Sequence, residues 1–196
     1  MNLFFNTAMT HRPAVGSELD YKSEDAPRLL ALALIQTDIK GEVVQAEKLY
    51  IQQEIDITNK IELFSHVSQL DCDSGVPLVE ALDTFRKLCQ SSNRLIAFNY
   101  TYAMLPIKAE FWWMFNKEPN FRRLLTQSVM KMVTDTVALP GRFNKPKWPR
   151  LDEAYSHFFK APLRTRPDVL FDLEATYQIY FKHLYGSDLP SPSANG

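Results

Sequence analysis

Cysteine is scarce in this chain. Cys72 and Cys89 are the two thiols among 196 residues, too few for a disulfide framework, and neither has metal-ligating company nearby. They read as small buried or half-buried thiols in a reducing compartment. Also missing are a glycine loop of the kind that cradles phosphate and any zinc-ligand spacing. No apolar stretch approaches the roughly 18–20 residues that a membrane span needs. The opening Met1-Asn2-Leu3-Phe4-Phe5-Asn6 has no basic leader and only a short apolar run, so a signal peptide is not expected. These absences point to a soluble cytoplasmic protein with no membrane association. Internal repeats and a low-complexity body are absent too.

Apolar residues make up 45% of the chain and charged residues 23%, a globular composition at the usual size of one domain. Residues 1–186 are expected to form that domain, and 187–196 (SDLPSPSANG), rich in proline and serine, a disordered tail. The net charge of −1 hides a polarity. Residues 1–100 carry 9 Lys and Arg against 14 Asp and Glu, whereas residues 117–166 carry 11 against 4. Such an asymmetry marks either a nucleic-acid or acidic-partner face or a set of solvated helix faces.

Asn2 to Ala8 reads as a short strand, and residues 9–27, with Pro13, Gly16 and Pro27, as a loop. The apolar run Leu29 to Ile35 reads as a buried strand, ended by the turn residues Thr37 to Gly41. Glu42 to Val44 and Lys48 to Ile51 follow as the remaining strands of a meander. Pro77 to Cys89 spaces Leu78, Ala81, Leu82, Phe85 and Leu88 as one face of a helix. Arg94 to Asn99 is another short strand. Leu105–Phe115, Phe121–Leu125, Leu151–Phe159 and Leu170–Tyr185 read as helices. Trp112, Trp113, Phe115 and Phe121, at helical spacing, are expected in the core, with base stacking as the alternative. Strands first, then helices and a further strand, indicate an α/β fold with a mixed sheet.

Six segments in order resemble the DEDDh-type 3′–5′ exonucleases of the ribonuclease-H-like fold, over about residues 2–185. FFNTAMTHRP is similar to the first motif, usually FxDxETTG, and PRLLALALIQTDIKGEVV to the next two strands. SHVS and SGVPLVEALDTF resemble the stretch around the family's His-Gly-Ile turn and the helix after it. RLIAFNYTYAM resembles the second motif, usually VAHNxxFD. VMKMVTDTVALPGRFNKPKWPRLDEAYSHFF resembles the connecting stretch with its Lys-Trp-Pro-x-Leu signature. RPDVLFDLEATYQIYFKHL is similar to the third motif, usually HDAxxDxxAT. The resemblance implies a ribonuclease-H-like mixed sheet flanked by helices.

It also implies a chemistry. Such enzymes use two divalent metals about 4 Å apart, which repel by roughly 16 kcal/mol at an effective dielectric near 20. Four carboxylates offset that repulsion and a histidine acts as general base. Carried onto this chain, the first acid falls on Asn6, the second on Ala8 and the third on Ala103, although Asn99 and Tyr102 keep the motif's frame. The histidine falls on Pro167, and the last acid is retained as Asp172. Where a variant of the family has a tyrosine base, this chain has Asp168. The expectation is a catalytically inactive, exonuclease-like module with no metal and no cofactor. Its partner would be a protein, such as a nuclease, a polymerase or another nucleic-acid-processing complex, or else nucleic acid itself.

The alternative is a residual or altered nuclease using Asp172, with Asp168 or Asn6, and one weakly bound Mg²⁺. His11 and Glu174 are further candidates by proximity in sequence, but Glu174, two residues past Asp172, is expected to point elsewhere on the helix. His66 lies in the landmark turn and His157 on what reads as an exposed helix face, and neither has catalytic company. The stretch Arg142, Lys145, Lys147, Trp148 and Arg150 mixes cations, an aromatic and prolines, and is the expected face for nucleic acid or a partner.

Overall fold

The computed structural model describes residues 1–13, 20–163 and 168–186. Pro167 and the tail 187–196 lie outside them. Strand β1 (Asn2–Met9) pairs antiparallel with β2 (Leu29–Thr37), and β2 pairs antiparallel with β3 (Val43–Gln52). The last of these is one continuous strand where two short ones were expected, because Gln45 to Tyr50 pair without a break with Gln36 to Ala31 of β2, and Val43 pairs with Thr37 past a bulge at Val44. Asp38 closes the turn between them: its carboxylate accepts from the amides of Lys40 and Glu42, an Asx turn that needs no tertiary support.

Two short helices, α1 (Asn59–Ser65) and α2 (Gln69–Asp73), lead to the two-residue strand β4 (Val76–Pro77) and to α3 (Leu78–Gln90). Strand β5 (Arg94–Ala97) runs parallel to β1, and α4 (Tyr100–Phe115) follows it. Next come β6 (Leu125–Ser128), parallel to β5, and the short helices α5 (Val129–Met132) and α6 (Thr134–Val137). Helices α7 (Leu151–Phe159) and α8 (Val169–Tyr185) complete the described chain. Among the described residues the strands form one mixed sheet in the order β4-β3-β2-β1-β5-β6, flanked by helices. This is the expected α/β architecture.

Both faces of the sheet are covered, so β1 and β2 are apolar without alternation. On one face Leu3 and Phe5 pack with Ala81, Phe85, Met104 and Ile107 of α3 and α4. On the other, Phe4 packs with Leu173, Tyr177, Tyr180 and Phe181 of α8. A strand's two-residue period thus sends neighbouring residues of β1 into opposite layers.

Three expectations need correction. Phe121–Leu125 is not a helix: residues 121–124 form a turn, and Leu125 already opens the edge strand β6, where hydrogen bonding to β5 decides the conformation of a segment too short for a helix to be stable alone. Trp113 and Phe115, expected in the core, are exposed, because the helical spacing continues past the edge of the layer that α4 covers. His157 is half-buried rather than exposed, its ring edge-on to Phe158. No described helix is long and apolar enough to cross a membrane.

Candidate functional site

Beyond Phe5, β1 carries polar and small residues that tie the two helical layers to the sheet. Asn6 Nδ2 donates to the Val169 carbonyl in the first turn of α8 at 3.1 Å. Thr7, one residue on and facing the other layer, donates from its hydroxyl to the Ala103 carbonyl of α4 at 3.0 Å. Asn99 caps α4, accepting from the Tyr102 amide. The start of α8 and the start of α4 therefore converge on the end of β1, where a cleft of about 480 Å³ opens. It lies at the carboxyl ends of the adjacent parallel strands β1 and β5, the usual place for a ligand in a sheet with parallel connections.

Asn6, Ala8, Tyr102, His66, Asp168 and Asp172 all line this cleft. Ala103 lies buried behind it, its carbonyl held by Thr7. Neither His11 nor Glu174 lines it: the ring of His11 bridges Thr10 and the Asp25 carbonyl, and Glu174 is buried. His66 enters the cleft because it ends α1 in the left-handed conformation, which turns the chain sharply after the helix.

The two carboxylates of the cleft differ in their surroundings. Asp168 caps α8, accepting from the Leu170 amide, and receives Lys48 Nζ at 2.8 Å. Partial burial opposes its charge, but the bonds from Lys48 and the backbone prevail and hold its carboxyl below the usual range. Asp172, one turn further on, has no such cation among the described residues. Its surface reaches solvent, yet the cleft walls crowd it; that loss of surrounding water, with Asp168 nearby, raises its carboxyl to about 6. The Tyr102 hydroxyl is buried without a hydrogen-bond partner among the described residues. Burial raises its phenol, and the nearby Arg12 guanidinium partly offsets this.

The basic stretch lies on the loop before α7 and at its start. Lys147 pairs with Glu153 at 2.7 Å, and Arg150 with Asp152 at 2.6 Å, so both expected cations are locally neutralised. Arg142 and Lys145 are exposed and have no ion pair among the described residues. Trp148 is exposed, with Lys131 Nζ 5.5 Å from its ring centre.

No protein-family model and no curated protein matches the sequence. Solved structures do match. The nuclease domain of 3'hExo, a DEDDh family member, bound to rAMP, superposes with a TM-score of 0.72 over 95% of this chain and 92% of that one, at 12% identity. The fold is that of the DEDDh 3′-exonucleases. A 3′-exonuclease with 3′-end specific recognition of histone mRNA stem-loop matches at a TM-score of 0.71 and 12% identity, with 95% of this chain and 64% of that one covered. E. coli exonuclease I in complex with a dA16 oligonucleotide matches at 0.69 and 14%, with 94% of this chain and 41% of that one covered. The chain thus spans nearly all of one nuclease domain and less than two thirds of these longer enzymes.

The exonuclease fold raises the question of metals. Among the described residues no group of three or more His, Cys, Asp or Glu side chains converges. Asp168 already has Lys48 on one carboxylate oxygen and the Leu170 amide on the other. Asn6 presents its amide donor to a carbonyl, and Ala8 and Ala103 have no donor atoms in their side chains. This donor set does not fit a pair of divalent cations, which need several anionic oxygens between them to offset their repulsion.

Proposed function

We propose that this chain is a non-cleaving exonuclease-fold domain that binds single-stranded nucleic acid ends. The observation that carries the reading is the bond from Asn6 to the Val169 carbonyl. A carboxylate at Asn6 would set two acceptors against each other there, so this position holds the fold together as an amide and is unsuited to metal binding. Among the described residues Asp172 is the one cleft carboxylate without a cation, and Pro167, which the motif places at the general base's position, can accept no proton. Loss of the base alone lowers rate by about 10²–10⁴. Several solved structures of this fold hold a nucleotide or an oligonucleotide, which supports a nucleic-acid ligand for the open cleft. A cleft with fewer anions also repels phosphate less.

A labelled oligonucleotide incubated with Mg²⁺ or Mn²⁺ tests the reading directly. Retention of the intact strand with measurable binding at low salt is expected, in the micromolar range typical of non-specific contacts. Metal-dependent shortening from the 3′ end overturns it and favours the residual nuclease at Asp172.

A second reading, a protein-docking scaffold within a nucleic-acid-processing complex, is favoured by the exposed Trp113, Met114 and Phe115 at the end of α4. A pull-down with and without nuclease treatment separates the two: partners that survive digestion are held by protein contacts.

A further inference from the structure

The loop between α6 and α7 carries a feature that the cleft does not explain. Phe143 is 94% exposed, and it sits in the left-handed region at φ 56°, ψ 38°. Asn144 follows it in the same region at φ 56°. A bulky aromatic adopts that conformation only at a cost, and consecutive left-handed residues compound it, so the surrounding loop must enforce the shape. It does. The Lys147 amide donates to the Leu139 carbonyl at 3.0 Å, and the Lys145 amide to the Arg142 carbonyl at 3.2 Å, closing the loop twice. Gly141 permits the closure: a Cβ there would fall 2.3 Å from the Lys145 carbonyl oxygen. Pro140 and Pro146 stiffen the flanks. The result is a fixed tip that holds a phenyl ring in water.

Its surroundings narrow the ligand. Arg142 and Lys145 flank Phe143 in the chain, are exposed and have no ion pair among the described residues, whereas Asp152 and Glu153 are taken by Arg150 and Lys147. The tip therefore offers an open aromatic face between two unpaired cations. A hydrophobic protein partner calls for a contiguous apolar patch, but Phe143 is followed by Asn144 and flanked by charge. An unpaired nucleobase with its neighbouring phosphates fits: bases stack on aromatic rings without sequence preference, and cations track the backbone.

We propose that Phe143 is a stacking platform for an unpaired base of single-stranded nucleic acid, with Arg142 and Lys145 contacting the adjacent phosphates. The inference rests on the nucleic-acid reading of the domain and adds a second contact point outside the cleft. It also reassigns the basic stretch: Arg142 and Lys145 bind, while Lys147 and Arg150 serve the start of α7.

The test measures anisotropy of a fluorescent dT12 strand and of a blunt hairpin duplex, across a salt series, for wild type and variants. Phe143→Ala is expected to weaken dT12 binding about tenfold, within the range for one stacked base, and to leave the salt slope unchanged. Arg142→Gln with Lys145→Gln is expected to reduce the log–log salt slope by about 1.4, two single-strand phosphates. Phe143→Trp is expected to keep the affinity and to show tryptophan quenching on binding. Wild type that binds dT12 while Phe143→Ala binds equally well overturns the stacking platform and leaves the domain's reading intact. Equal losses on the blunt duplex and the single strand also overturn it, since paired bases offer no free face. Wild type that fails to bind dT12 even at low salt overturns both proposals. Unchanged circular dichroism and melting of Phe143→Ala separate these outcomes from misfolding.

Discussion

At Asn6 the side-chain amide donates to the first turn of α8 from the end of β1, and an acid there changes a bond into a repulsion. Asn6→Asp is expected to destabilise the fold by about 1–3 kcal/mol, the cost of leaving a partly buried carbonyl unsatisfied. Melting followed by circular dichroism reads the loss, and addition of Mn²⁺ is expected not to restore it; full recovery with the metal would mean that the site can still assemble. Asp172 behaves differently. Its folded value of about 6 lies above the ordinary 3.8, so the folded state binds the proton more tightly than the unfolded chain. Stability therefore falls as pH rises from about 3.8 to about 6 and stays lower above that. Asp172→Asn is expected to melt higher than wild type at pH 7.5, with the difference gone by pH 4. A lower melting point at pH 7.5 would contradict the crowding inferred for this carboxyl.

Helix α4 is fixed to the sheet by a charge as much as by its apolar faces. Glu110, fully buried, accepts from both Nε and Nη2 of Arg28, from the Leu29 amide and from Gln53. That one carboxylate joins α4 to the start of β2 and to the residue after β3. Removing this carboxylate leaves the Arg28 charge and the Leu29 amide without their acceptor, while Gln53 keeps its bonds to Leu29 and Arg28; breaking a buried pair in this way costs about 3–5 kcal/mol. Glu110→Ala is expected to lower the urea midpoint with an unchanged slope, the midpoint shift times the slope giving that free energy, and Glu110→Gln to lose less because it still accepts from Leu29 and Gln53. If the alanine variant loses under about 1 kcal/mol, the network is not the clamp described.

The molecule as a whole combines an open cleft with a cationic second half. Divalent metal is expected to have no effect on stability: melting curves in EDTA and in excess Mg²⁺ should coincide, since a ligand that binds only the folded state would raise the midpoint. Ala8→Glu alone is expected to give no measurable cleavage of a labelled strand, because groups that act as a unit fail together. Oligonucleotide binding in the cleft is expected to strengthen as pH falls through about 6, where Asp172 loses its charge. The Asp172→Asn variant should bind at pH 7.5 as wild type does at pH 5, with His66→Gln as the control for the histidine in the same cleft. Binding that stays flat from pH 7.5 to pH 5 would remove Asp172 from the ligand's path.

Local chemistry was legible in the residue order. The apolar run of β2, the Asx turn at Asp38 and the amphipathic α3 depend on neighbours a few positions away, and their pattern reads directly. Of the positions the spaced motifs singled out, Asn6, Ala8, Asp168 and Asp172 line one cleft, whereas Ala103 lies buried behind it and Pro167 falls outside the described residues. Tertiary structure alone decided the rest. Lys48, 120 positions from Asp168, meets it because β3 passes the start of α8, and no local signal marks such a pair. The same holds for the Asn6 amide and the Val169 carbonyl, 163 positions apart. Phe121–Leu125 reads as helical in isolation, yet it turns and enters a strand at Leu125 because β5 offers hydrogen bonds from there on. The division of the basic stretch was likewise hidden: whether a cation is free depends on which acids the chain folds beside it, and that is a property of distance in space.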